Sequence, residues 1–283
     1  MALGKPGPIP APSHTTCLPQ PASARLGSVG SNAIEKQIRA YFRTLYRAWG
    51  PQHWWPGRGR FEVIAGAFLV QNTGWSNVEL ALRRLRDERA LTLGGIRRLP
   101  LARLQSLVRP AGYFRQKARH LKDFVTFLDQ RYGGSLDRMF GQPIEPLRLQ
   151  LLSLPGVGPE TADSILLYAG QHPVFVVDAY ARRILGRHGL VSTDDSYDRV
   201  RARCERALRG ATLPPSKGRA SHSGGHRPSR MSQAQRSPLA QRYNEMHGLL
   251  VLTGKRHCLK LHPRCEGCPL QPFLPPSGPT CGI

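Results

Sequence analysis

Leu154-Pro155-Gly156-Val157-Gly158-Pro159-Glu160-Thr161-Ala162 carries the strongest organisational signal in this sequence. Two glycines two positions apart allow a tight backbone turn and let main-chain N–H groups approach another surface closely. Pro159 suits the first position of a helix, where its missing N–H would have no partner anyway. Ala162, Ile165, Leu166 and Ala169 then fall on one helical face. With 143–153 also reading as helix, the stretch joins two helices, 143–153 and 159–170, through a glycine turn. N–H groups at a turn that opens a helix form a site suited to a DNA phosphate. An ordinary tight connection between helices would use the same residues, and the turn alone leaves both readings open.

Outward from this pair, the apolar spacing remains helical. Ile34, Ile38, Phe42, Leu45 and Trp49 mark one helix, and Trp54-Trp55-Pro56 follows in a loop. Phe61 to Gln71 is apolar nearly all round, as expected of a helix at a domain centre. After a break at Asn72-Thr73-Gly74, Ser76 is the expected N-cap of an amphipathic helix. Further helices are expected at 101–109, 114–132 and 243–253. A short extended run, Val174 to Val177, leads into Asp178 and a helix through about Arg187. With no run of alternating strands, the expected fold class is all-α. Residues 1–32, rich in Pro, Ser, Ala and Gly, are expected to be disordered, and 209–241 to form a flexible basic insert.

The net charge of +23 is not confined to those two segments. Residues 1–32 carry +2 and 209–242 carry +7, which leaves +14 on the foldable remainder. Basicity spread over folded parts points to a polyanionic partner, nucleic acid first. No stretch of 18 apolar residues exists, which excludes a spanning helix, and prolines interrupt any secretory apolar region. The expected setting is therefore intracellular, in the cytoplasm or nucleoid. Of six cysteines, Cys258, Cys265, Cys268 and Cys281 crowd the last 26 residues, a clustering that suggests a metal site rather than disulfides.

These features together resemble the helix-hairpin-helix glycosylases related to endonuclease III. The likeness runs from about Phe61 to Cys268 without the basic insert, and rests on 154–158, on Val176-Val177-Asp178 and on the terminal cysteines. Within that family the sequence is most similar to the 3-methyladenine glycosylase III type. It shares Trp54-Trp55-Pro56, Gln71-Asn72-Thr73, Arg109-Pro110-Ala111-Gly112-Tyr113 and Gly158-Pro159-Glu160-Thr161-Ala162-Asp163.

The resemblance implies a base-excision repair enzyme, a DNA N-glycosylase acting on duplex DNA that contains a damaged, alkylated base. Asp178 matches the family's essential aspartate. Its carboxylate would stabilise positive charge on the sugar as the base departs and would orient the attacking water. By itself an Asp before a helix is equally a good N-cap, and the two roles are compatible. Gly156 and Gly158 would hold a phosphate through their N–H groups, with Val157 between them in the DNA-binding turn, while Gln71, beside Asn72, would fill the gap left by the flipped base. Trp54, Trp55 and Trp75 are candidates for the walls of a base pocket, with core packing as the alternative. Bifunctional relatives carry a lysine where Glu160 stands. Glutamate cannot form a Schiff base, so a monofunctional enzyme is expected unless Lys117, Lys122 or another amine substitutes.

The family also implies a [4Fe-4S] cluster on four thiolates, ending Cys-x5-Cys. Cys258, Cys265 and Cys268 match, but Leu274 stands at the last position and Cys281 lies further on. Zinc on four thiolates is the alternative. The expected architecture is two helical domains, 33–58 plus 171–283 and 59–170, with a C-terminal cluster loop and a DNA cleft between them. A monomer without nucleotide cofactor or membrane partner is expected. Two other readings stay open, an endonuclease III-like glycosylase/AP lyase and a non-catalytic helix-hairpin-helix DNA-binding protein.

Overall fold

A computed structural model describes the backbone of residues 18–19, 30–213 and 228–281, with side chains for 30–213 and 228–280. After α1 (Ser31–Trp49) and the tryptophan loop come α2 (Arg60–Leu69), α3 (Trp75–Asp87), α4 (Leu93–Arg98) and α5 (Leu101–Val108). They are followed by α6 (Phe114–Tyr132), α7 (Leu136–Phe140), α8 (Ile144–Leu152) and α9 (Pro159–Ser164). The last of these widens into a π-turn over Ile165–Ala169, and α10 (Ala179–Arg187), α11 (Tyr197–Arg209) and α12 (Pro238–Arg256) complete the described helices. None of them is long and apolar enough to cross a membrane.

The apolar run at Phe61 becomes α2, whose residues Phe61 to Leu69 are buried apart from Glu62. It packs against α3, α6 and the π-turn, while α1 packs on α11 and α12, and α10 on α12. The π-turn also touches α12, so it joins the two groups of helices. Lys117 of α6 is buried, and its ammonium donates to the carbonyls of Leu69 (2.9 Å), Gln71 (2.8 Å) and Ala111 (2.7 Å). A lysine has three donors, so all are spent on carbonyls that α2 and the turn at 109–111 would otherwise leave bare.

Across the hairpin, Arg148 of α8 pairs with Asp163 of α9 at 2.6 Å, both side chains buried. Gly156 has φ +74°, and a Cβ there would lie 2.1 Å from Nδ1 of His120, so both backbone geometry and space demand glycine. Gly158 has nothing within 4 Å of a Cβ position and faces outward.

The all-α expectation holds, with one two-residue parallel pair, Leu18–Pro19 against Thr280–Cys281, beside the helices. Three expectations need correction. Within 1–32, helix α1 already begins at Ser31, and residues 1–17 and 20–29 lie outside the described set. Ser76 is not a cap: α3 begins at Trp75 behind Gly74, because Asn72 (φ +52°) turns the chain one residue earlier. The insert is not loose throughout. Its described part beyond residue 228 packs on the tryptophan loop and enters α12 at Pro238, with the Ser237 hydroxyl accepting from the Ala240 N–H (3.2 Å).

Candidate active site

Asp178 caps α10, its Oδ1 accepting from the Ala181 N–H at 2.7 Å. This is the geometry of an N-cap after an extended run, and it locks the carboxylate in one rotamer. The other oxygen, Oδ2, lies 3.4 Å from Nε2 of His247, an electrostatic contact that is not aligned as a hydrogen bond. His247 comes from α12, and its Nδ1 lies 2.5 Å from the hydroxyl of Tyr168 in the π-turn. Three elements far apart in sequence thus meet at one carboxylate.

Glu160, in the first turn of α9, is open to solvent yet crowded by protein, as a residue lining a cleft is. That crowding, reinforced by the negative charge of Asp178 and opposed by His247, raises its carboxyl to about 7. The hairpin and Asp178 therefore share one electrostatic site. Lys255, next to last in α12, feels the same carboxylate. Burial lowers its pKa, Asp178 and Glu79 oppose that, and its ammonium lies 5.5 Å from the ring centre of Trp54.

Of the three tryptophans, Trp54 and Trp55 are buried (9% and 6% exposed) and Trp75 is half-buried. Trp55 meets Trp75 edge-on at 5.2 Å and Tyr168 at 5.0 Å, with Gly66 of α2 leaving room for both indoles. All three pack in or against the hydrophobic core, as the core alternative for these residues expects. The peptide bond between Trp54 and Trp55 is cis.

Gln71 sits where α2 ends, and its side-chain amide donates to the Gly156 carbonyl and the Thr161 hydroxyl, each at 2.9 Å. Asn72 beside it is exposed. Within the hairpin the N–H of Val157 is taken by the Leu154 carbonyl (3.1 Å) and its side chain is buried. The N–H groups of Gly156 and Gly158 have no acceptor among the described residues. Neither alternative lysine is free for chemistry, since Lys117 holds its three carbonyls and Lys122 donates to those of Arg97 and Leu99.

Cys258, Cys265 and Cys268 line one cavity with Arg187, Leu274 and Pro279. Among the described residues no three donors converge as a single ion would require. Burial and mutual charge raise the thiols of Cys265 and Cys268, and Arg187 donates to the Cys258 sulfur at 3.3 Å. Three thiols around a common void fit a multinuclear group better than one ion. Leu274 contributes only apolar wall. Residue 281 pairs its backbone beside α10, but the Cys281 side chain lies outside the described residues. Cys204 is buried in the core, away from this cavity.

Sequence reasoning found Asp178, Gln71, Glu160 and the glycine turn. It missed His247, Tyr168 and Lys255. The available signal was weak, a histidine and a lysine eight positions apart flanking the apolar run Leu249 to Leu252.

A family profile described as HhH-GPD superfamily base excision DNA repair protein matches residues 65–209. Over 239 residues the chain is 34% identical to a protein of Methanocaldococcus jannaschii named as a candidate DNA repair glycosylase, covering 84% of this chain and 96% of that one. The crystal structure of H. pylori 3-methyladenine DNA glycosylase bound to 1,N6-ethenoadenine is similar at a TM-score of 0.61 and 27% identity, covering 82% of this chain and all of that one. An endonuclease III trapped as a covalent intermediate with DNA is similar at a TM-score of 0.65 and 23% identity, over 86% of this chain and 96% of that one. At that identity the last likeness speaks to the fold alone.

Proposed function

This chain belongs to the HhH-GPD superfamily of base excision DNA repair proteins, and we propose that it is a monofunctional glycosylase hydrolysing the N-glycosidic bond of an alkylated base in duplex DNA. The observation that carries this reading is Asp178, held by the α10 N-terminus through one oxygen while the other lies 3.4 Å from His247, its charge reaching Glu160 of the hairpin helix. The free N–H groups of Gly156 and Gly158 receive a phosphate. Gln71, already at the hairpin, fills the place of the flipped base, with Asn72 beside it. Water attacks the anomeric carbon as the base leaves with the bonding electrons. Asp178 stabilises the cationic sugar and takes the water's proton.

A base alkylated at a ring nitrogen, as in 3-methyladenine, is positively charged and departs neutral, so it needs no acid to protonate it. Its electron-poor ring is also the kind that stacks well on tryptophan, and Trp75 keeps surface for this against Trp54 and Trp55. Glu160 supplies no amine for a Schiff base. Cys258, Cys265, Cys268 and Cys281 would hold a [4Fe-4S] cluster, which would tie the basic C-terminal loop to α10.

The test is base release from duplexes carrying 3-methyladenine, uracil, thymine glycol or 8-oxoguanine opposite adenine. The wild type should release the first, and Asp178→Asn should abolish release while DNA binding persists. Release of only the other three refutes the substrate class, and unchanged release by Asp178→Asn refutes the mechanism. One observation favours a second reading. Lys255 is an amine that feels the charge of Asp178, with a pKa lowered by burial, as a Schiff-base nucleophile requires. Borohydride trapping of the wild type, lost in Lys255→Met, would make the enzyme a lyase.

A further inference from the structure

The loop that carries the tryptophans is held at both ends by one contiguous segment, residues 229–245. At its start, the Gln52 N–H donates to Glu245 of α12 at 2.6 Å. At its end, the Gly57 N–H donates to the Ser229 hydroxyl (3.0 Å), and that hydroxyl lies 3.4 Å from the Trp55 carbonyl. The Gly57 carbonyl in turn accepts from the Met231 N–H at 3.1 Å. Met231 and Ser232 are buried against the loop. A Cβ on Gly57 would lie 2.8 Å from Val63 of α2 and 3.8 Å from Met231, so this end of the loop is wedged between α2 and the segment.

Arg236 closes the segment on itself by donating to the carbonyls of Met231 (2.6 Å), Ser232 (3.2 Å) and Ala234 (3.3 Å). Its charge also reaches the Tyr168 hydroxyl and Glu245. Between these holds stands Trp55. Its indole N–H is buried with no hydrogen-bond partner among the described residues, so no polar contact of the ring sets its pose. The backbone on either side does. Trp75, by contrast, borders a cavity of about 300 Å³ that it shares with Pro56, Glu79 and Ser229. One indole of the wall is therefore braced from behind and the other has room to give.

We propose that Ser229–Arg236, the docked end of the basic insert, is a specificity-determining buttress: by fixing Gly57 and the Trp55 carbonyl it sets the aromatic wall and hence which alkylated base fits. This rests on the glycosylase reading above. Small displacements of a pocket wall discriminate by bulk, and a methylene's difference is worth about ten-fold or more in rate ratio.

The experiment compares single-turnover release of 3-methyladenine and of the bulkier 1,N6-ethenoadenine by the full-length wild type, Ser229→Ala, Met231→Ala and Ser229→Thr. The ratio of the two rates should shift by about five-fold or more in both alanine variants, with DNA affinity kept. Ser229→Thr, which keeps the hydroxyl, should keep the wild-type ratio. Tryptophan emission should shift in the alanine variants alone. Equal loss on both bases, or an unchanged ratio in folded alanine variants, overturns the buttress. A wild type that releases neither base overturns the glycosylase reading as well, and the two failures are thus distinct.

Discussion

Nε2 of His247 faces Oδ2 of Asp178 at 3.4 Å, while Nδ1 on the far side of the ring lies 2.5 Å from the Tyr168 hydroxyl. Burial, with the nearby charge of Asp178, holds the Tyr168 pKa well above its ordinary value, so the phenol keeps its proton beside Nδ1. The ring thus stands between the phenol and the carboxylate and fixes the space that Asp178 occupies.

Replacing that histidine tests this placement. His247→Phe keeps an aromatic ring but removes both nitrogens, and base release should fall by about 10²-fold, the usual consequence of a small misplacement of a catalytic group. DNA affinity, read by fluorescence anisotropy, should stay near wild type. A variant that releases base at the wild-type rate would reduce His247 to packing.

Glu160 predicts a pH dependence of stability. Its folded pKa, about 7, lies above the ordinary 4.5, so its contribution is whole below pH 4.5 and is lost as pH rises through about 7. Glu160→Gln does not titrate. Its melting temperature should therefore gain on the wild type between pH 4.5 and 7.5 and hold a constant lead above that. A difference independent of pH would show that the carboxyl is not perturbed.

Lys117 should behave as a structural clamp. Lys117→Met leaves three buried carbonyls without a donor, at about 1 kcal/mol or more each, so the unfolding free energy should fall by about 3 kcal/mol. Urea denaturation measures this. Stability equal to wild type would mean that the carbonyls find other partners.

The cysteine cavity makes a spectroscopic prediction. Purified protein should be brown, with broad visible absorbance and about four irons per chain. Cys258→Ser and Cys265→Ser should bleach it, and Cys281→Ser should do the same if this cysteine completes the set. A colourless protein holding one zinc would establish the alternative.

Much of this site was legible in one dimension because its parts are local. The glycine turn needs φ +74° at Gly156, Pro159 opens a helix and Asp178 caps one, and each is a short-range requirement. Where the reading failed, the cause lay elsewhere in the chain. Ser76 matched a cap statistically, but the left-handed turn at Asn72 set the helix start. The insert was legible as basic and low in complexity. Nothing in it announced that Ser229 and Met231 would grip Gly57, some 170 residues away.

The order of residues alone pointed to a helical chain, a glycine hairpin between two helices and an aspartate placed to cap a helix. These follow from backbone sterics, helical periodicity and side-chain chemistry, which act over a few residues. Tertiary structure alone chose the company of Asp178, by bringing His247 from α12 and Tyr168 from the π-turn to it, and by bracing Trp55 from the insert. Such contacts are settled by how apolar faces bury against one another, and a change of packing could move them without altering any local motif.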